Sequence, residues 1–151
     1  MIRSEAFNTF TLERPIAADP ARVWRALTDP RERARWFSGE DNWETSEESH
    51  DLAVGSGAVL DGQWHGGPRT RFSSTYTDII EHERLVYTYD MWLDERHLST
   101  SITTIVLDAA DGGTLLTYTE QGVHLDGLDT PDQREAGTRG LLDALQIVCE
   151  A

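Results

Sequence analysis

The sequence predicts an α+β domain in which a curved antiparallel sheet of about six to seven strands wraps around a long C-terminal helix. Three observations predict it. From about residue 42 to 123, β-branched and aromatic residues are interrupted by turn-forming clusters, the texture of consecutive strands. After Thr130 the apolar residues Leu141, Leu142, Leu145, Val148 and Cys149 recur at helical spacing. The 151 residues show no repeat, low-complexity run or interdomain linker, so 1–151 reads as one domain.

The elements follow in order. Residues 7–14 set Phe10 and Leu12 on one face against Thr9 and Thr11, which predicts a first strand. Asp19-Pro20 reads as an N-cap followed by proline at the first helical position, opening a helix with Val23, Trp24 and Leu27 on one face. Asp29-Pro30 repeats that signal, and a second short helix, Arg31 to Phe37, should stop before Gly39. Strands are expected near 43–50, 57–64, 70–81, 84–94, 98–108 and 114–123, with Asp111-Gly112-Gly113 the strongest hairpin signal. Thr130-Pro131-Asp132-Gln133 matches a capping box and starts the last helix. Ahead of its apolar residues lie Ala136, Gly137 and Gly140, which mean either close helix–sheet contact or room left open beneath the helix.

Composition excludes more than it proves. With 13 basic and 27 acidic residues the formal net charge is −14, and such a surface repels phosphate backbones, so no nucleic-acid partner is expected. All 13 basic residues are arginine, which excludes a P-loop lysine or a Schiff base and fits either a salt-adapted host or arginine-rich codon usage. One cysteine, Cys149, cannot form an internal disulfide and reads as a buried, inert thiol, so a reducing, cytoplasmic setting is expected. The start MIRSEAFNTF has no apolar segment, and neither a signal peptide nor a membrane span is expected.

Four segments now carry a resemblance: FTLERPIAADPARVWRALTDPRERARWF, RLVYTYDMWLD, GGTLLTYTEQGVHLDG and REAGTRGLLDAL. Together they run through almost the whole chain and resemble SRPBCC (START/Bet v-like) proteins of the heat-shock-protein-90 ATPase activator homologue group. The TEQG…LDG segment is similar to a bacterial subgroup related to the calicheamicin self-sacrifice protein. The resemblance implies a helix-grip fold with a cavity between sheet and terminal helix, and the binding of lipophilic small molecules. Members include lipid carriers, polyketide cyclases and aromatases, and a chaperone-activating domain, so the fold alone does not choose an activity.

Candidate site residues follow from strand alternation. Leu116, Tyr118 and Glu120 share a face, so Glu120 should point toward the cavity near its rim, either as a general base or as a solvated or arginine-paired carboxylate. Leu85, Tyr87, Tyr89 and Met91 share another face, on which the tyrosines could hold a flat, partly oxygenated ligand or simply fill the core. Trp36, Phe72 and Tyr76 complete the expected wall, with Leu141 and Leu145 on the helix side. Trp92 falls on the opposite face and is expected outside or at an interface. His50, His65, His82, His97 and His124 show no metal-ligand spacing; no metal or cofactor is expected, His82 and His97 should lie in turns, and His124 could reach the cavity mouth. The acidic run Glu44 to Asp51 reads as a solvated strand edge.

Three functions remain. The first is a cytosolic, cofactor-free protein binding a hydrophobic small-molecule ligand. The second is a cyclase, aromatase or isomerase using Glu120 with a cavity tyrosine. The third is an interaction module, a chaperone accessory or a homodimer, using Trp92 or the acidic face.

Overall fold

The computed structural model describes residues 2–37 and 43–151. Strand β1 (Glu5–Ile16) leads into two short helices, α1 (Pro20–Thr28) and α2 (Pro30–Phe37). Both begin where the Asp-Pro signals put them. The Asp19 carboxylate accepts from Arg22 N at 2.8 Å, and Asp29 accepts from Arg31 N at 2.9 Å, each satisfying a backbone donor that the helix itself leaves free. The expected stop at Gly39 lies outside the described residues.

Six strands follow: β2 (Trp43–His50), β3 (Ala58–Trp64), β4 (Arg69–Ile80), β5 (Arg84–Leu93), β6 (Arg96–Ala110) and β7 (Gly113–Leu125). Their ends fall within two residues of the expected ones, because the turns that separate them are locally encoded. Asp111 and Gly112 take φ values of 48° and 79°, the paired left-handed backbone of a tight hairpin turn. Consecutive strands pair antiparallel and β1 closes against β7, giving the order β1-β7-β6-β5-β4-β3-β2. The edge strands are therefore β1 and β2. On β2 the acidic Glu44, Glu47 and Glu48 are all exposed, as a solvated edge requires.

Helix α3 (Pro131–Glu150) crosses the inner face of this curved sheet, the helix-grip arrangement. Its capping box is formed: Thr130 Oγ1 accepts from Gln133 N, and Gln133 Oε1 accepts from Thr130 N, both at 3.1 Å. The main core lies under its C-terminal half. There Leu142, Leu145, Val148 and Cys149 pack with Leu12, Ile16, Trp24, Leu27 and Leu116. A second, smaller cluster of Ala58, Leu60, Phe72 and Tyr89 lies on the same inner face, toward β3. Among the described residues no helix is long and apolar enough to cross a membrane.

Candidate functional site

Between the second cluster and the N-terminal half of α3 lies a cavity of about 650 Å³. The sheet contributes Leu60, Thr70, Phe72, Tyr87, Tyr89, Met91 and Tyr118; the end of α2 contributes Trp36 and Phe37; Trp43 and Trp64 flank it. These rings form a continuous aromatic wall, with centroids 4.9 Å apart for Phe37–Phe72, 5.0 Å for Phe72–Tyr89 and 4.6 Å for Trp43–Trp64. Opposite them α3 presents Gln133, Gly137, Gly140 and Ala144, a stripe at successive helical turns beside the apolar one. A Cβ built on Gly137 or Gly140 meets nothing within 4 Å. The small residues of α3 therefore leave room, and do not mark close contact with the sheet.

One end of the cavity is polar. Tyr89 donates to Glu120 Oε1 at 2.6 Å, and Tyr118 reaches the same oxygen at 3.4 Å. Arg134, in the first turns of α3, donates to Tyr89 Oη at 3.0 Å, to Ser99 Oγ at 2.7 Å and to Asp129 Oδ2 at 2.9 Å. Its guanidinium also lies 3.7 Å from Glu120 Oε2. The strand register explains how Tyr89 on β5 reaches Glu120 on β7. Between them β6 carries only Ser99, Ser101 and Thr103, all fully buried and small, and Ser101 faces Gly122. A Cβ at Gly122 would come within 2.6 Å of Ser101 Oγ and 3.1 Å of Thr100 O, so a larger residue there would make Ser101 or the strand spacing give way.

Burial pushes the Glu120 carboxyl above its ordinary value, against the hydrogen bond from Tyr89 and the charge of Arg134. Burial and the adjacent carboxylate push the Tyr89 phenol well up. Chemically, the pair offers a carboxyl that takes up a proton more readily than an exposed one, behind a phenol that itself faces the cavity.

Of the expected wall residues, Trp36, Phe72, Tyr87, Tyr89, Met91, Tyr118 and Leu141 line the cavity. Three expected residues do not. Glu120 is 2% exposed and sits behind Tyr89 and Arg134, not at the rim. Tyr76 shares the inner face with Phe72 but lies farther along β4, in the main core, where its hydroxyl meets His50 Nε2 at 2.6 Å. Leu145, 0% exposed, falls in the filled half of α3.

His124 is buried with Nδ1 3.6 Å from Asp129 Oδ2, so Asp129, which lines the cavity, stands between it and the mouth. His82 occupies a turn, whereas His97 lies within β6 and stacks on Trp92 at 4.4 Å on the outer face. Cys149 is free and buried. Among the described residues no group of His, Cys, Asp and Glu is placed to hold a metal ion.

Arg134, Gln133 and Asp129 are site residues that the sequence reading missed. The available signal was the helical spacing that puts Arg134 on the same side as Gly137, Thr138 and Leu141.

Residues 17–150 match the family described as activator of Hsp90 ATPase homolog 1-like protein. Among solved structures the chain is similar to a Rhizobium loti protein, with 40% identity and a TM-score of 0.89 over 96% of this chain and 99% of that one. A Rhizobium leguminosarum protein is 34% identical with a TM-score of 0.92, covering 99% of each chain. The solution structure of an AHSA1-like protein from Aeromonas hydrophila is 25% identical, with a TM-score of 0.71 over 95% of this chain and 92% of that one. No curated protein matches the chain. The match is to the family as a whole and not to the finer subgroup that the TEQG…LDG segment resembles.

Proposed function

The chain belongs to the activator of Hsp90 ATPase homolog 1-like family, and from that premise we propose that it binds a lipophilic or aromatic small molecule in the cavity beneath α3. The observation that carries this reading is the hollow under Gly137 and Gly140, faced by the aromatic wall. A helix interior disfavours glycine by roughly 1 kcal/mol against alanine, and an unfilled gap forgoes packing as well. A chain that keeps both glycines over a gap of about 650 Å³ holds space that folding alone does not need. The volume suits a ligand of drug-like size, with flat apolar surface for the rings and one polar end for Tyr89 and Arg134. With its lone cysteine free and buried, the protein fits a reducing compartment, and we assign it to the cytoplasm.

The test is a thermal-shift screen of apolar and aromatic compounds against the wild type and Gly137→Leu. Compounds that raise the wild-type Tm should lose at least tenfold in affinity for Gly137→Leu, whose leucine occupies the hollow. That variant should itself fold as stably as the wild type or more so, since leucine is the better helix former. A screen in which nothing stabilises the wild type, or in which Gly137→Leu binds equally well, would overturn the reading.

A second reading, an enzyme of the cyclase, aromatase or isomerase kind, is favoured by the 2.6 Å Tyr89–Glu120 hydrogen bond. Such a pair can take a proton from a ligand at the phenol and hold it on the buried carboxyl. Chemical change in a bound compound would separate it from simple binding.

A further inference from the structure

Arg33 is 8% exposed, yet among the described residues no carboxylate lies within ion-pair distance of it. It projects from α2 onto two rings of the cavity wall, its guanidinium carbon 3.9 Å from the Phe37 centroid and 5.8 Å from that of Phe72. Arginine does not deprotonate in proteins, so this is a permanent buried cation. Ring faces attract it, but by much less than the hydration it has lost. Burial accordingly lowers its affinity for its proton, while Tyr76, Tyr87, Tyr118 and the exposed Glu48 oppose that only through their fields.

The two arginines near the cavity differ in this respect. Arg134 is neutralised by Asp129 and Glu120. Among the described residues Arg33 has no carboxylate in contact, only the field of Glu48. Beside it lies a void of about 10 Å³, room for one water, bounded by Arg33, Trp36, Tyr76 and Tyr87. Trp36 and Tyr87 line the main cavity too, so a single side chain's width separates the guanidinium from it. The Trp36 indole is tied to Ala26 O at 2.7 Å, and the Tyr87 ring packs on Tyr76 and Tyr89 with its hydroxyl toward Tyr118 and Thr103, so a ligand that reaches Arg33 has to displace one of these two side chains.

We propose that Arg33 anchors a carboxylate on the molecule that occupies the cavity, with the ligand's apolar body against Phe37, Phe72 and Tyr89. This rests on the small-molecule reading of the cavity and names the ligand's class. A protein of net charge −14 repels organic anions at long range, so binding one requires a buried cation free to receive it. The guanidinium fork matches the two oxygens of a carboxylate, which gives the contact direction as well as charge.

The experiment measures binding of matched pairs, 2-naphthoate with 2-naphthamide and dodecanoate with dodecanamide, to the wild type, Arg33→Met and Arg33→Gln. The wild type should bind each acid at least tenfold more tightly than its amide. In Arg33→Met that ratio should fall to about one with amide affinity unchanged, and the variant should melt no lower than the wild type, since it removes a buried charge that no described carboxylate contacts. Should Arg33→Met not fold, Arg33→Gln, close in length and still polar, reads the same ratio. Amides that bind as well as the acids overturn the role of Arg33 and leave the cavity reading standing. An acid preference that survives both substitutions overturns it as well. If neither acids nor amides bind, the cavity reading falls and this proposal falls with it.

Discussion

The two halves of α3 lie over the same sheet and do opposite things. Its C-terminal half presses Leu142, Leu145, Val148 and Cys149 into a closed core against β1, β7 and α1. Its N-terminal half carries Gly137, Gly140 and Ala144 across a gap and is held mainly by polar contacts at its start. One continuous helix thus serves as a wedge at one end and a roof at the other. Stability and space are segregated along the helix, so each can be altered without the other.

Leu145→Ala should show this separation most strongly. Leu145 is 0% exposed and surrounded by the main core. Removing its side chain deletes buried apolar surface and leaves a cavity that only partly collapses, at a cost of about 2–5 kcal/mol. Urea denaturation should show the midpoint fall with little change in slope. Ligand affinity, measured where the variant is still folded, should stay within a few-fold of the wild type. A large loss of affinity would mean that the two halves are coupled and the comparison fails.

The polar network at the hollow end gives a smaller, pH-dependent effect. The folded protein holds the Glu120 proton to higher pH than the unfolded chain, where the group titrates near its ordinary value of 4.5. Between those two values the folded state binds more protons, so stability falls as pH rises through that window. Glu120→Gln keeps an oxygen for Tyr89 to donate to and removes the titration. The Tm of the variant relative to the wild type should therefore climb as pH is raised from 4 toward 8, and the two should converge below 4.5. A difference that does not vary with pH would show that Arg134 and Tyr89 compensate the buried carboxyl fully.

The filled half was also the more legible half. Strand limits, both Asp-Pro helix starts and the capping box could be read because each depends on neighbouring residues. The inward faces of β5 and β7 follow from alternation, and Tyr87, Tyr89, Met91 and Tyr118 lie on those faces along the cavity. Alternation gives the face of a strand but not the depth beneath it. Alternation points Glu120 inward, but its burial depends on Tyr89 crossing over Ser101 from another strand, a contact between residues 31 apart in sequence. Arg134 was missed for a related reason. A charged residue in the first turns of a helix ordinarily faces water, and only the meeting of α3 with Ser99 and Asp129 buries this one. The sequence pattern puts Tyr76 on the wall although it lies on the closed side, because periodicity does not distinguish the filled half of the sheet from the hollow one.

The smallest effect comes from the hollow half's own anchor. With little apolar packing near its start, that half of α3 depends on its cap more than the packed half depends on its end. Thr130→Ala removes the acceptor of the Gln133 N–H and leaves that donor to water, at about 1 kcal/mol. The loss should appear first as faster amide exchange in residues 131–140 and only weakly in residues 142–149, where side-chain burial holds the turns together. Since Gln133, Arg134 and Gly137 roof the cavity, ligand affinity should weaken by a few-fold, more than the drop in Tm alone predicts. Uniform exchange along α3 in the variant would mean that the helix opens as one unit, and the division between its wedge and its roof would not extend to its dynamics.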